Sequence, residues 1–410
     1  MKKTLVAIAS LAALGAMSTS ALAQSSSSIY GNLDQTLVQT SQGGKSATSS
    51  ASNNNSSSYW GITSTEDMGG GLKASFDLRS EITLMTGQAA STSTSATNAG
   101  QTSTAAVTQN TVTNAGDKPS FFNRGAFLKL ASDNFGAITI GRQGDAWWIA
   151  QGQVNTTTGA SGGFGNLTAM QTNTTNTNLI GGANPTVLAN YMGSATAAGA
   201  NINPAYYPVS EAFMGGFRFD TPSIAGFQAS YQIGVPKVSY NDAGSANNGS
   251  AWVLAYDGMG ASIRVASTAR NDYSGSKVWE QNLVGGSYTM GQWKLALSTN
   301  KSKFSGSAAT AGVDGSTATG LGVFYTMSSA LTLNVAYGEL KDDVKSANTF
   351  KQTSLNAVYK LSPRSSVYGG IFNGVNAGPT MKQTPIYAGN GTDTLGATVN
   401  AYTVGIKHTF

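Results

Sequence analysis

Alternation between apolar and polar residues is the feature of this sequence that most restricts its fold. Two interleaved rows in the last segment show it: Tyr402, Val404, Ile406, His408 and Phe410 alternate with Thr403, Gly405, Lys407 and Thr409. The same period recurs upstream in the segments 73–82, 227–233, 321–327 and 354–361. Because successive side chains of a strand point to opposite faces, each segment predicts a β-strand with one apolar and one polar face.

Short turns and long polar segments separate these predicted strands. Residues suited to tight turns occur at Met68-Gly69-Gly70, Ser132-Asp133-Asn134, Thr221-Pro222-Ser223, Asp257-Gly258-Met259, Met290-Gly291, Ser328-Ser329 and Ser362-Pro363. Longer polar segments lie near 40–57, 86–119, 144–209, 235–249, 271–277, 302–317, 341–350 and 375–397. Together they predict about 16 strands with short connections at one end and long ones at the other, as in bacterial membrane barrels.

The composition favours a transmembrane β-barrel over a soluble or helical membrane protein. Only 10% of the residues are charged, against about a quarter in a soluble domain. Past the first residues, no apolar run approaches the roughly 18 residues of a membrane helix. Bilayer hydrocarbon offers the backbone no hydrogen-bond partners, so a sheet there must close on itself. The sequence therefore predicts an all-β antiparallel barrel with its apolar rows towards lipid and its polar rows towards a water-filled lumen.

The N-terminal segment is predicted to be an export signal. Lys2 and Lys3 precede an apolar run from Leu5 to Met17, and Ala21-Leu22-Ala23 supplies small residues for cleavage. We expect a signal peptide over 1–23, a barrel over 24–410 and passage through the periplasm. Removing two lysines lowers the net charge from +5 to +3, and no basic cluster is visible, so no nucleic-acid partner is expected.

Two long segments without charged residues interrupt the pattern, at 82–116 and 146–210. The first has the composition of a disordered loop. The second directly follows a predicted strand and contains Trp147 and Trp148 together with several other aromatic residues. These rings give it apolar surface to bury, so the second segment is predicted to be ordered.

Enzyme chemistry has little support in the residues. The chain has no cysteine and one histidine, His408, which excludes a cysteine nucleophile and a site of several histidines. A Ser–His–Asp arrangement would have to use His408, which lies in the same alternating row as Phe410 and so is predicted to face lipid. An outer-membrane phospholipase is the kind of enzyme whose active site lies on that outer face of a barrel. The run Gly162–Gly165 lacks the following Lys-Ser or Lys-Thr of a phosphate-binding loop. No enzyme, metal or cofactor is predicted.

Several segments resemble Gram-negative general porins of the betaproteobacterial type. The matching stretches follow the chain in order: Ser28–Asp34, Trp60-Gly61 through Glu66–Ala74, Phe122-Asn123-Arg124, Phe135-Gly136 through Gly141-Arg142-Gln143, Phe219–Pro222 and Val404–Phe410. The resemblance implies a 16-stranded outer-membrane barrel, a homotrimer and a third loop folded into the lumen. It also implies a basic cluster on the wall facing acids on that loop. Phe410 would be part of the signal that the barrel assembly machinery reads.

This sequence departs from the family pattern at the expected basic wall. Tyr59 stands where the family usually has arginine, and Thr63 where a second basic residue is common. Glu211 and Ala212 stand where arginine is frequent, and Asp145 is the single acid between that position and the preceding strand. Part of the family's transverse charge separation is therefore missing.

The odd or even position of a residue in its strand and the family resemblance together indicate which residues determine transport. Parity assigns to the lumen Asp34, Lys73, Asp77, Arg79, Glu81, Arg218, Arg264, Lys294, Lys360 and Lys407. Arg79 is the first choice for a constriction, followed by Arg124 and Arg142 through the family match, with Asp145 on the loop. Simple alternation places Arg124 and Arg142 with the lipid-facing rows, so a bulge or a strand end must turn them inward.

The excess of basic lumen residues predicts passive diffusion of small polar solutes and ions with a modest anion preference. The alternative is a substrate-specific porin, or an adhesin-like barrel whose long loops bind a ligand. In either case the expected partners are outer-membrane lipids, the assembly machinery and copies of the same chain.

Overall fold

The computed structural model describes residues 26–52, 55–85, 87–89, 121–158, 213–235, 249–271, 277–305, 315–343, 347–378 and 397–410. The predicted signal peptide, Glu211, Ala212 and the Gly162–Gly165 run lie outside these residues. The described part contains eighteen strands and one helix: β1 (Ser26–Gln42), β2 (Lys45–Ser52), β3 (Tyr59–Gly69), β4 (Leu72–Thr83), β5 (Gln88–Ala89), β6 (Gly125–Ser132), β7 (Gly136–Gly144), α1 (Ala146–Gln153), β8 (Phe213–Asp220), β9 (Phe227–Gly234), β10 (Gly249–Gly258), β11 (Ala261–Asn271), β12 (Lys277–Met290), β13 (Trp293–Phe304), β14 (Gly315–Thr326), β15 (Leu331–Asp342), β16 (Thr349–Lys360), β17 (Ser365–Ala377) and β18 (Thr398–Thr409). Within these residues, no helix is both long enough and apolar enough to span a bilayer.

Sixteen of the strands form a closed antiparallel ring, which confirms the predicted barrel. Each strand pairs with its neighbour along the ring, and β18 returns to β1 through a register that runs from Asn32↔Thr409 to Gln42↔Val399. The seam is also closed by β1 and β3, paired from Ser26↔Thr65 to Asn32↔Tyr59. No edge of the ring is left unpaired, as a sheet in hydrocarbon requires.

The two faces of the ring separate by residue type. Outward rows are apolar and exposed, for example Leu321, Val335, Leu355, Ile371 and Val404. Inward rows are largely polar, with Asn334 and Asn356 hydrogen-bonded across β15 and β16. All seven predicted turns join consecutive strands at one end of the barrel, called here the short-turn end; the long segments lie at the opposite, long-loop end.

Two short strands lie outside the ring. β2 pairs with the half of β1 that lies towards the long-loop end, from Gln35↔Ser52 to Gln42↔Lys45, and β5 pairs with two residues of β4. Residues 40–57 were predicted to be a loop, which is wrong for the hairpin of β1 and β2. Its Ser, Thr and Ala residues lack an apolar row, so the hairpin leaves no alternation signal.

Aromatic pairs lie on the outward face near the short-turn end. Phe227 packs against Tyr256 with ring centroids 4.7 Å apart, and Trp293 against Tyr325 at 4.5 Å. At the long-loop end, Trp60 makes an edge contact with Phe121 at 5.9 Å. Such amphipathic rings suit the boundary between hydrocarbon and water.

Candidate pore lining and constriction

Arg79 points inward from β4 into a cluster of aromatic and acidic side chains. Its Nη2 lies 3.1 Å from Asp77 Oδ2, and its Nε donates to the Tyr30 hydroxyl at 2.9 Å. The guanidinium carbon lies 5.7 Å from the Tyr30 ring centroid and 5.3 Å from that of Tyr59. The Tyr30 hydroxyl also donates to Asp77. These contacts hold the guanidinium in one place and place a carboxylate directly beside it.

Arg124 reaches the same cluster although its sequence parity is that of the lipid-facing row. It immediately precedes β6, and its backbone N–H donates to Arg79 O at 3.1 Å. Its Nη1 lies 3.1 Å from Glu81 Oε2, and its guanidinium carbon lies 5.9 Å from the Tyr59 ring centroid. A position at the strand end thus allows the side chain to turn inward.

Arg142 is placed differently from the other two arginines. It pairs in register with Ala126 and Gly215 and shares the row of Ile138 and Ile140, which face outward. Its Nε donates to the carbonyl oxygen of Asn123 at 2.7 Å. Its role in a constriction therefore stays a prediction.

The chain after β7 enters the lumen as helix α1 and packs on the inner wall. Ala146, Trp147, Ala150 and Val154 are buried against an inward patch made of Met214, Ala251, Val253, Ala266 and Leu283. These wall residues are apolar although they face the lumen, because α1 covers them. Burial of this surface provides the main stabilisation of the docked helix. Residues 145–158 are called the lumenal segment below.

Polar contacts fix both ends of α1. Asp145 caps the helix by accepting from Trp147 N at 2.8 Å, and it accepts from Thr268 Oγ1 at 2.9 Å. At the other end, Arg264 Nε donates to Gln153 Oε1 at 2.6 Å. Asp145 is 1% exposed, so it anchors the segment, whereas the sequence prediction had it lining the pore.

Beyond α1 the lumenal segment lies directly on the barrel wall at two glycines. A Cβ added to Gly285 would lie 2.6 Å from Val154 Cγ2, and one added to Gly322 would lie 2.0 Å from Thr156 O. Asn334 Nδ2 donates to the same Thr156 carbonyl oxygen at 3.2 Å. The absence of a side chain at these wall positions permits the close approach.

The remaining predicted lumen residues lie nearer the short-turn end. Arg218 pairs with Asp220 at 3.0 Å, and Arg264 pairs with Asp257 at 2.7 Å. Lys73 is the second residue of β4 and stands opposite Asp67. Lys294, Lys360 and Lys407 occupy inward rows of β13, β16 and β18.

Sequence reasoning missed the residues that hold this arrangement together. Tyr30 and Tyr59 contact Arg79, whereas Thr268, Gly322 and Asn334 hold the lumenal segment. The spacing of Asp77 and Arg79, two residues apart on one strand face, was the available signal for their ion pair.

A family model described as Gram-negative porin matches residues 9–379 of this sequence. The chain belongs to the Gram-negative porin family. Outer membrane porin protein 32 of Delftia acidovorans is 43% identical to it over 84 residues, which make up 20% of this chain and 23% of that relative. The similarity to this porin thus spans less than a quarter of its length.

Several solved porin structures share the barrel fold of this protein. An anion-selective porin from Comamonas acidovorans matches with a TM-score of 0.67 at 20% identity, over 94% of this chain and 100% of that one. The trimer form of OmpT from Vibrio cholerae matches with a TM-score of 0.55 at 12% identity, over 94% and 99%. OmpF of Salmonella typhi in complex with daunomycin gives 0.55 at 12% identity, over 94% and 97%. At these identities the likeness shows the fold.

Proposed function

We propose that this protein is a general diffusion porin of the outer membrane. It forms a homotrimer in which each barrel carries small hydrophilic solutes and ions passively, with a modest preference for anions. The observation that supports this proposal most strongly is the closed ring of sixteen strands, with exposed apolar rows outside and polar rows inside. Such a ring satisfies its backbone in lipid and leaves a lumen wide enough for water.

Three further points support this proposal. The chain belongs to a family of porins, and a protein of similar structure is an anion-selective porin. The lumenal segment lies against the inner wall, where it narrows the lumen. The Arg79–Asp77 and Arg124–Glu81 pairs line the wall of β4 and β6. We place the constriction at Arg79, Arg124 and, through the family pattern, Arg142, with export following removal of residues 1–23.

Conductance of the purified protein in planar bilayers tests this function. We expect stepwise insertions with a current proportional to voltage, because a water-filled lumen without a tight binding site conducts ohmically. Sugars, phosphate and organic anions should not produce a saturating block. A block that saturates at micromolar to millimolar solute would instead identify the substrate-specific porin. Bilayers that stay silent with folded protein would refute the channel itself.

A further inference from the structure

Four inward arginines among the residues that the structure describes are each paired with a neighbouring carboxylate. The four pairs are Arg79–Asp77 at 3.1 Å, Arg124–Glu81 at 3.1 Å, Arg218–Asp220 at 3.0 Å and Arg264–Asp257 at 2.7 Å. At distances beyond the pair itself, two opposite charges this close act as a dipole, and its field falls off faster than that of a single charge. The arginines therefore contribute little net positive potential along the lumen.

The inward lysines of the described residues differ from the arginines in forming no ion pair with a carboxylate. For Lys129, Lys294, Lys360 and Lys407, no carboxylate oxygen of the described residues lies within 4.0 Å. Each lies within three residues of the short-turn end of its strand, a depth of about 10 Å or less. We call these four residues the lumenal lysine band. Lys73 also has no carboxylate oxygen of the described residues within 4.0 Å, but Asp67 stands opposite it, so adding this pair would leave the net charge of the band unchanged.

The cross-strand neighbours of three band lysines are neutral. Lys129 stands between Ser75 and Thr139, Lys294 between Thr289 and Phe324, and Lys360 opposite Ser366. The Lys294 Nζ lies 5.3 Å from the Phe324 ring centroid. None of these directly facing side chains carries a negative charge.

Lys407 has one acidic neighbour, Asp34, across the seam between β18 and β1. The Asp34 carboxylate is fully buried and accepts from the Tyr368 hydroxyl at 2.9 Å. With Asp34 included, the band keeps a net charge of three positive units. The segment that continues α1 carries no charge from 146 to 210, so its sequence supplies nothing that could neutralise the lysines.

The band faces the lumen from two sides. Three of its members lie on β13, β16 and β18, within one sector of the ring, and Lys129 lies on β6 across the lumen from them. An ion crossing this level therefore passes between ammonium groups, within a cylinder whose low-dielectric wall focuses the field. This arrangement raises the local anion concentration and lowers that of cations, until salt screens the charges.

We propose that the lumenal lysine band, rather than the arginine cluster around Arg79, determines the anion preference of this channel. This proposal rests on the proposed channel function and assigns its selectivity to a second level of the lumen. The arginine cluster then shapes the aperture and holds its aromatic neighbours in place, while the band sets the sign of the permeant ion.

Reversal potentials in a potassium chloride gradient test the assignment with three variants of the full-length protein. The first replaces the band: K129Q, K294Q, K360Q and K407Q. The second removes four outward-facing lysines of β13, β15 and β16, K301Q, K303Q, K341Q and K351Q, and so makes the same change in net charge outside the lumen. The third removes two neutral pairs together, D77N, R79Q, E81Q and R124Q.

The anion-to-cation permeability ratio of the band variant is expected to fall roughly tenfold, at the lower end of the effect of focused charge. The outward variant should keep the native ratio. The pair-removal variant should change conductance more than it changes the ratio. The double variant K294Q/K360Q gives a smaller fall in the same direction and serves if the fourfold variant does not fold.

A native ratio in the folded band variant would overturn the assignment. So would a larger loss of preference in the pair-removal variant, because the arginines would then act despite their partners. An equal loss in the outward variant would show that total charge, not the band, sets the ratio. A native protein that does not conduct would instead refute the proposed function, which separates the two failures.

Discussion

Replacing Gly322 by valine is expected to detach the lumenal segment from the barrel wall and to turn a quiet channel into a noisy one with a lower mean current. Thr156 O lies only 2.0 Å from the position that a Cβ would take on Gly322. The carbonyl must move by more than an ångström, and its hydrogen bond from Asn334 is then lost. A tethered segment that leaves the wall spends part of its time across the lumen and obstructs it.

The barrel itself should tolerate this change. Gly322 lies in the middle of β14 with extended backbone, and valine is favoured in strands. Single-channel recording should show frequent partial closures in the Gly322→Val protein. Chymotrypsin should cleave the variant faster at Trp147 or Trp148, because both residues belong to α1 and are protected only while α1 is docked on the wall.

Gly152→Ala provides the matched control. A Cβ added at Gly152 meets no atom within 4 Å, and alanine favours a helix by up to about 1 kcal/mol over glycine. Its current and its protease resistance should equal those of the native channel. A quiet current of native size from folded Gly322→Val protein would show that the segment is not held by this contact.

The barrel could be predicted from the sequence because its determinants are local. Alternation fixes which residues face lipid, and turn residues such as Asp257-Gly258-Met259 fix where the strands reverse. Both signals repeat with every strand, so errors in single segments do not alter the ring. The hairpin of β1 and β2 has turn residues at Gly43-Gly44 but no alternation in β2, and it was missed.

The site depends on contacts between distant segments, which alternation does not encode. Arg124 meets Glu81 on a strand 43 positions earlier, and Arg264 meets Gln153 of α1, 111 positions earlier. The docking of α1 left a weaker trace in β10, where Ala251–Ala255 is apolar on both faces. A strand with an apolar inward row in a water-filled lumen implies that something covers it.

Replacing Phe410 by alanine is expected to reduce folded protein in the outer membrane at least about tenfold while leaving refolding in detergent nearly intact. The Phe410 ring lies against Gly31, since a Cβ there would be 2.5 Å from Phe410 Cζ, yet the residue is 41% exposed. Losing a half-exposed ring costs only about 1–2 kcal/mol. The backbone bonds that pair Phe410 with Gly31, at 3.1 Å in both directions, persist in alanine.

The barrel seam is therefore not expected to fail in vitro, because eleven further residue pairs join β1 and β18. A large loss confined to cells would then identify the exposed ring as a signal for the assembly machinery, as the family resemblance implies. Phe410→Tyr keeps the ring and should restore assembly. The shift in gel mobility on heating measures the amount of folded barrel, both in membrane fractions of cells and in protein refolded in detergent. Equal amounts of folded native and alanine protein in the membrane would refute the signal, and equal losses in cells and in detergent would make Phe410 a structural closure of the seam.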